Sequence, residues 1–276
     1  MKSFFVFILM SFLGIANVFS QEFDSNYTTS TYTHYKHKFY VHSFNMGNSI
    51  KTKYFSKNAN TRYLSWQKNK KVMLICAGAF SETWKTTSKP VGLTVDAGNL
   101  INSRIDPTMD GLVIVKKKFI FVMDLDKLES GFTLDDGSKV KINPRKSSKD
   151  KFHLLKAARE EKYTIFQTQL VYSKDKIFNF RNLHYGKKRE RRFLATAFYN
   201  NDYYNIIVDV PDYLPLNQSA KYAKEVLDYI GYDVQYILNL DTGGKNIFLI
   251  RKDDKNLTYK ATKKLKDATN LIVFYR

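Results

Sequence analysis

Val72-Met73-Leu74-Ile75-Cys76 is an unbroken apolar stretch between Lys71 and the small residues Ala77 and Gly78. A half-exposed strand alternates apolar and polar residues, because successive side chains point to opposite faces. A continuous run of this length instead predicts a central strand covered on both faces. Aromatic residues make up 15% of the 276, and aromatic and β-branched side chains suit half-buried pleated surfaces.

Other segments repeat the strand signal. Lys38–His42 and Ile50–Phe55 alternate or cluster strand formers, and Pro90 to Ile101 reads as strand, tight turn, strand. Leu112–Val115 and Phe119–Met123 predict a hairpin with Lys116, Lys117 and Lys118 at its turn. Asp135-Asp136-Gly137-Ser138 is a turn before a short strand at Lys139–Ile142. Thr164–Val171 is a strand, and Arg192–Tyr199 with Asn205–Val210 forms a hairpin around Asn200-Asn201-Asp202. Val234–Leu238, Ile247–Arg251 and Leu271–Tyr275 complete the set.

Two stretches have helical periodicity. Lys151–Glu161 places Phe152, Leu155 and Ala158 on one face. A second helix is expected from an N-cap at Asn217 through Ile230. Ala223, Val226, Leu227 and Ile230 form its stripe, and Gly231 its stop. Many strands with few helices predict an α+β single domain with a large mixed or antiparallel sheet core over residues 36–276. Residues 143–150 are the best candidate for a surface excursion, and no linker or repeat divides the chain.

The N-terminus reads as an export signal spanning residues 1–20. Lys2 is followed by an apolar core from Phe4 to Leu13, and Val18-Phe19-Ser20 sets up a cut before Gln21. The core is too short for a membrane span, and no later stretch reaches that length. The expectation is an exported protein, periplasmic or secreted, with no transmembrane segment after cleavage. Residues 21–35, polar and rich in Ser, Thr and Tyr, read as a flexible leader or an edge strand.

Cys76 is the one cysteine, so an internal disulfide is excluded and stability must come from packing. Its place in an apolar run reads as a buried small hydrophobe. Lys and Arg number 45 against 26 Asp and Glu, a formal charge of +19. Such a field draws anions, and for an exported protein these include anionic glycans. The basic clusters are short and lie at expected turns, with no nucleic-acid fold signature, so no specific nucleic-acid partner is expected. His34, His37 and His42 gather near the N-terminus, apart from His153 and His184. No zinc-like spacing accompanies any of them, and neither a metal nor a cofactor is predicted. Oligomeric state is not readable.

Several motifs then follow in order. Cys76-Ala77-Gly78-Ala79-Phe80 precedes Pro90-Val91-Gly92-Leu93-Thr94-Val95-Asp96-Ala97-Gly98. Phe166-Gln167-Thr168-Gln169-Leu170-Val171 comes next, then the hairpin opened by Arg192, then the second helix. Asn239-Leu240-Asp241-Thr242-Gly243-Gly244 closes the series. This series resembles the phosphodiester glycosidase family, whose best-known member removes N-acetylglucosamine from a phosphodiester on mannose. The resemblance covers about residues 71–250. It implies Asp241 as the catalytic carboxylate. Arg192, Asn239, Gly243, Gly244, Lys245, Gly78 and Gln167 would lie around a sugar-phosphate or other anionic carbohydrate substrate. Cys76 stands where the family has Asn, Gln169 departs from a Gly-Pro pair, and Lys245 with Asn246 replaces a Ser.

Cleaving a glycosyl phosphodiester builds positive charge at the anomeric carbon and negative charge on the leaving phosphate. Carboxylates stabilise the first, cations and backbone N–H groups the second. Asp241 would act as base or electrostatic stabiliser, with Arg192 and Lys245 on the anion. Glu82 and Asp96 are the carboxylates nearest the first two motifs. The competing reading makes Asp-Thr-Gly-Gly a turn whose Asp bonds local backbone. An aspartic protease would need a second Asp-Thr/Ser-Gly, and none exists. The functional expectation is therefore an exported hydrolase of a sugar-phosphodiester linkage. Its alternative is an inactive homologue that binds anionic glycan.

Overall fold

Strand β5 (Val72–Cys76) is buried at all five positions. It lies between two antiparallel neighbours, β17 (Phe248–Arg251) and β19 (Asn270–Tyr275). The doubly covered strand required by the apolar run is therefore present, and Cys76 is fully buried in it. The computed structural model describes residues 15–24, 26–47, 49–83, 85, 87–116, 119–127, 130–133, 137–174, 177–178, 187–243, 246–251, 257–260 and 263–276. Strands hold 49% of the residues and three helices 20%, which makes the fold α+β. The described strand pairings are antiparallel.

The chain forms two compact units, one of residues 1–48 with 171–239, the other of 49–170 with 240–276. Because the chain crosses between them repeatedly, neither unit is continuous in sequence and no linker separates them.

The first unit holds β1 (Ile15–Asp24), β2 (Tyr27–His34), β3 (His37–Asn45), β14 (Arg189–Tyr199), β15 (Asp202–Leu214) and β16 (Asp233–Asn239). Their order is β1-β2-β3-β15-β14-β16. Residues 27–34 thus take the strand alternative of the leader reading, with Tyr27 and His34 buried. Strand β1 begins inside the expected signal and pairs with β2 from Ile15 to Asp24. A cut before Gln21 would leave β1 only its last four residues and expose most of the outer edge of β2. Asn200 and Asn201 join β14 to β15 with φ of 49° and 67°, the left-handed pair that Asn tolerates in a two-residue hairpin turn.

Helix α3 (Leu216–Ile230) covers one face of this sheet. Ala220, Ala223, Val226 and Leu227 meet Phe193, Ala195, Val208 and Ile237 there. It starts earlier than the Asn217 cap predicts: Pro215 is the N-cap, with φ −57°. Proline supplies the φ that a helix entry needs and loses no N–H bond by it. Gly231 ends the helix at φ 100°, its N–H donating to the Asp228 carbonyl while the Tyr232 N–H reaches Leu227. A Cβ there would sit 3.3 Å from Tyr199 Cε2. Gly231→Ala is therefore expected to cost about 1–2 kcal/mol in urea unfolding; an unchanged midpoint would contradict this account of the helix end.

The second unit contains a five-stranded sheet, β18-β17-β5-β19-β4, with β4 at Lys51–Ser56 and β18 at Leu257–Tyr259. Helix α1 (Ala59–Trp66) packs with it through Ala59 and Tyr63. Its stripe, Ala59, Tyr63 and Trp66, spans only about two turns, and no helix was expected here from the sequence. The same unit holds β6 (Thr94–Asp96), β7 (Asn99–Asn102), β8 (Gly111–Lys116), β9 (Phe119–Asp124) and most of β12 (Thr164–Ser173). Strand β12 pairs with β8 and β6. Helix α2 (Ser148–Glu160) begins at Ser147, whose hydroxyl accepts the Asp150 N–H at 3.1 Å, and packs Leu154 and Ala158 into the core.

Residues 143–150 run at the surface, with Lys146, Ser148 and Lys149 exposed, and are pinned there. Arg145 Nη1 donates to Asp110 (2.9 Å) and Asp126 (3.0 Å), and Nη2 donates to the carbonyls of Asp106 and Met109. Asn143 is buried, with its amide nitrogen on the Leu125 carbonyl. A run rich in Lys, Ser and Asp looks solvated in sequence, and only the distant carboxylates reveal what holds it. Among the described residues no helix is long and apolar enough to cross a membrane.

Candidate functional site

Four of the motif segments meet within the second unit. The Asp241 N–H donates to the Gly78 carbonyl at 2.9 Å, and the Ala77 N–H donates to Ile247 at 3.0 Å. The chain leaving toward β17 is thereby laid against the exit of β5. A Cβ at Gly78 would fall 2.9 Å from Tyr54 Cε2 and 3.0 Å from Asn270 Oδ1, so only glycine permits that approach. Tyr54 in turn stacks on Phe166, ring centres 4.4 Å apart. Next to Phe166, Gln167 grips the Pro90–Gly98 segment through the Leu93 N–H, 2.6 Å from its Oε1.

Asp241 is 8% exposed. Its Oδ1 accepts the Gly243 N–H at 2.9 Å, the local turn that an Asp two residues before a glycine favours. The turn fixes the carboxylate's direction. Gly244 and Lys245 lie outside the described residues.

Gln167 is fully buried and its amide is committed to backbone. Besides Leu93, Oε1 accepts the Asp106 N–H at 3.0 Å, and Nε2 donates to the Met109 carbonyl at 2.9 Å. A Cβ on Gly92, at φ 80°, would sit 2.4 Å from this oxygen. Gln167 therefore ties two loops together and presents no donor to a ligand in this arrangement. Gln167→Leu strands the Leu93 and Asp106 N–H groups, while the Asp106 and Met109 carbonyls keep Arg145. Chemical denaturation is expected to show a loss of about 2–4 kcal/mol. A loss under about 1 kcal/mol would contradict the clamp.

Arg192 and Asn239 belong to the first unit. Arg192 is 1% exposed, and its Nε and Nη2 both donate to Asp209 Oδ1, at 3.0 and 2.7 Å. Burial raises the Asp209 carboxyl above its ordinary range, and the Arg192 charge partly offsets this. Asn239 is buried on β16, with its backbone paired to Phe193.

The remaining polar candidates have structural partners. Asp96 accepts from the Ser56 N–H (2.9 Å), the Ser56 hydroxyl (2.8 Å) and both Arg62 nitrogens. Glu82 accepts from Asn102 at 3.2 Å. His34 meets Glu225 at 2.6 Å, His37 meets Asp212 at 3.1 Å, and His42 meets Thr29 at 2.8 Å. Among the described residues no group of three or more His, Cys, Asp or Glu is placed to hold a metal. His184 lies outside the described residues.

Two residues at the Gly78–Asp241 junction carry no signal in the sequence. Asn270, 1% exposed, accepts the Gly78 N–H through Oδ1 (3.1 Å) and donates from Nδ2 to the Ala79 carbonyl (2.8 Å). Tyr54 is fully buried with no hydrogen-bond partner for its hydroxyl among the described residues. Burial, then the charge of Asp96, raises its phenol well above the usual range.

No family model matches the chain, and no curated protein sequence does. Solved structures do resemble it in fold. A hypothetical protein from Synechocystis aligns with a TM-score of 0.55 at 10% identity, over 93% of this chain and 63% of that one; this chain thus spans less than two thirds of that relative. The catalytic domain of zebrafish N-acetylglucosamine-1-phosphodiester alpha-N-acetylglucosaminidase, auto-inhibited by its pro-peptide, aligns with a TM-score of 0.50 at 12% identity. That match covers 94% of this chain and 81% of the other.

Proposed function

We propose that this protein is an exported hydrolase that cleaves a sugar-phosphodiester linkage in an envelope or extracellular glycan. The observation that carries the reading is the 2.9 Å bond from the Asp241 N–H to the Gly78 carbonyl. It joins the first and last motifs of the series around a carboxylate. The likeness of fold to a phosphodiester glycosidase domain and the net charge of +19 point the same way. Asp241 faces the developing charge at the anomeric carbon. Gly244 and the Lys245 charge would receive the departing phosphate, since Asp241 already holds the Gly243 N–H. Phosphate is a good leaving group, so its departure needs less protonation than an alcohol would.

A second reading, a non-catalytic binder of anionic glycan, is favoured by one specific observation. Arg192 and Gln167, both expected around the substrate, are engaged by Asp209 and by backbone. The experiment is hydrolysis of a methyl diester of N-acetylglucosamine-1-phosphate by wild type and Asp241→Asn, alongside glycan binding at increasing salt. Turnover by wild type that the variant lacks supports the hydrolase. Salt-sensitive binding without turnover supports the binder. Equal turnover by both proteins would remove Asp241 from the chemistry.

A further inference from the structure

Strand β14 carries Arg191 and Arg192 on opposite faces. Arg192 meets Asp209. Arg191 shares the parity of Phe193, Ala195 and Ala197, which form the core beneath α3. Arg191 is 9% exposed. Its hydrogen bond runs from Nη2 to the Lys187 carbonyl at 3.0 Å, while Nε is buried without a partner. Burial, and then the like charge of Arg189, pull the guanidinium down to about 10. Among the described residues Arg191 has no ion-pair partner, and a buried cation without counter-charge is among the costliest arrangements a fold can contain.

The register shows what lies beside it. Arg189 pairs with Leu214 and Arg191 with Val210, with a bulge between them. Leu214 leads directly into Pro215 and the first turn of α3. That turn has no side-chain cap and no acidic residue, so the positive end of the helix dipole is uncompensated. Ser219, the fourth residue of the helix, is fully buried, and among the described residues neither its hydroxyl nor Asn217 Oδ1 has a partner. Of the two carboxylates in the bulge, Asp212 is engaged by His37 and the Lys38 N–H, and Glu190, next to Arg191 in the chain, is also engaged. Lys187, Lys188 and Arg189 are exposed along the same strand end.

We propose that Arg191, Ser219 and the first turn of α3 bind a phosphate-class oxyanion. The guanidinium, a hydroxyl and helix N–H groups are the donor set such an anion requires. The anion supplies the counter-charge that Arg191 lacks. This proposal does not rest on the role of Asp241, which belongs to the other unit.

The test compares melting of the full chain in sodium phosphate and in sodium chloride of equal ionic strength. Phosphate at about 20 mM is expected to raise the wild-type Tm by about 4 °C or more. Arg191→Met should melt no lower than wild type in chloride, since it removes an unpaired buried charge, and should gain nothing from phosphate. Should that variant not fold, Arg191→Lys keeps the charge but loses the planar fork, and calorimetric titration should show phosphate affinity falling about tenfold. A further titration with N-acetylglucosamine-1-phosphate identifies the source. Affinity about tenfold above inorganic phosphate marks a glycan-linked group, and equal affinity marks the free ion. No wild-type shift up to about 50 mM phosphate, or the same shift in wild type and Arg191→Met, overturns the proposal.

Discussion

Asp241→Asn is expected to reduce kcat/KM for a sugar phosphodiester by about 10³-fold or more, which is about 4 kcal/mol of transition-state stabilisation. The same change should leave folding stability within about 1 kcal/mol of wild type. Asparagine keeps the shape of the side chain, and its carbonyl oxygen can still accept the Gly243 N–H that Asp241 Oδ1 accepts at 2.9 Å. The backbone bond to Gly78 does not involve the side chain. On the proposed function, what disappears is the negative charge that would stand beside a carbon becoming cationic as the phosphate departs. Kinetics and melting measured on one preparation separate these effects. A fall in rate that merely tracks a fall in stability would assign Asp241 to the turn alone.

Arg192→Met is expected to lower stability by about 3–5 kcal/mol, because it strands a buried carboxylate. Arg192 and Asp209 face each other directly across β14 and β15, with Arg192 1% and Asp209 8% exposed. The Asp209 carboxyl is already raised above its ordinary 3.8 by burial, against the pull of Arg192. Without Arg192 it rises further. A carboxyl raised in the folded state binds its proton more readily there than in the unfolded chain. The cost is therefore absent below about pH 4 and grows as pH rises through the folded-state pKa. The deficit of Arg192→Met should shrink as pH falls toward 4, and Arg192→Met/Asp209→Leu should recover most of the loss at pH 7. A deficit that does not change with pH and survives the double substitution would assign the loss to packing alone.

Legibility differed by the kind of interaction. The Val72–Cys76 run, the Ala223–Val226–Leu227 stripe and the Asn200–Asn201 turn were readable, because each rests on side-chain period or backbone preference within a few residues. Helix α1 was not, since its stripe of Ala59, Tyr63 and Trp66 spans only about two turns and is held by what packs on it. Pro215 displaced Asn217 as the cap of α3, a case of two neighbouring residues both suited to a helix start. The motif order pointed to Gly78 and Asp241, which do meet. It did not show that Gln167 spends its amide on Leu93, Asp106 and Met109, or that Arg192 spends its guanidinium on Asp209.

The sequence alone determined that the chain builds a large sheet core, mixed or antiparallel, around a doubly covered strand, with a strongly basic surface and no disulfide. These follow from local periodicity, net charge and a single cysteine, none of which depends on distant contacts. Only the tertiary structure decided which polar groups are already bound and which are not. Arg191 and Arg192 are neighbours of identical chemistry, yet one faces Asp209 and the other shares the face of Phe193 and Ala195 and bonds the Lys187 carbonyl. Strand alternation sends them to opposite faces, and what waits on each face is set by residues far away in the chain.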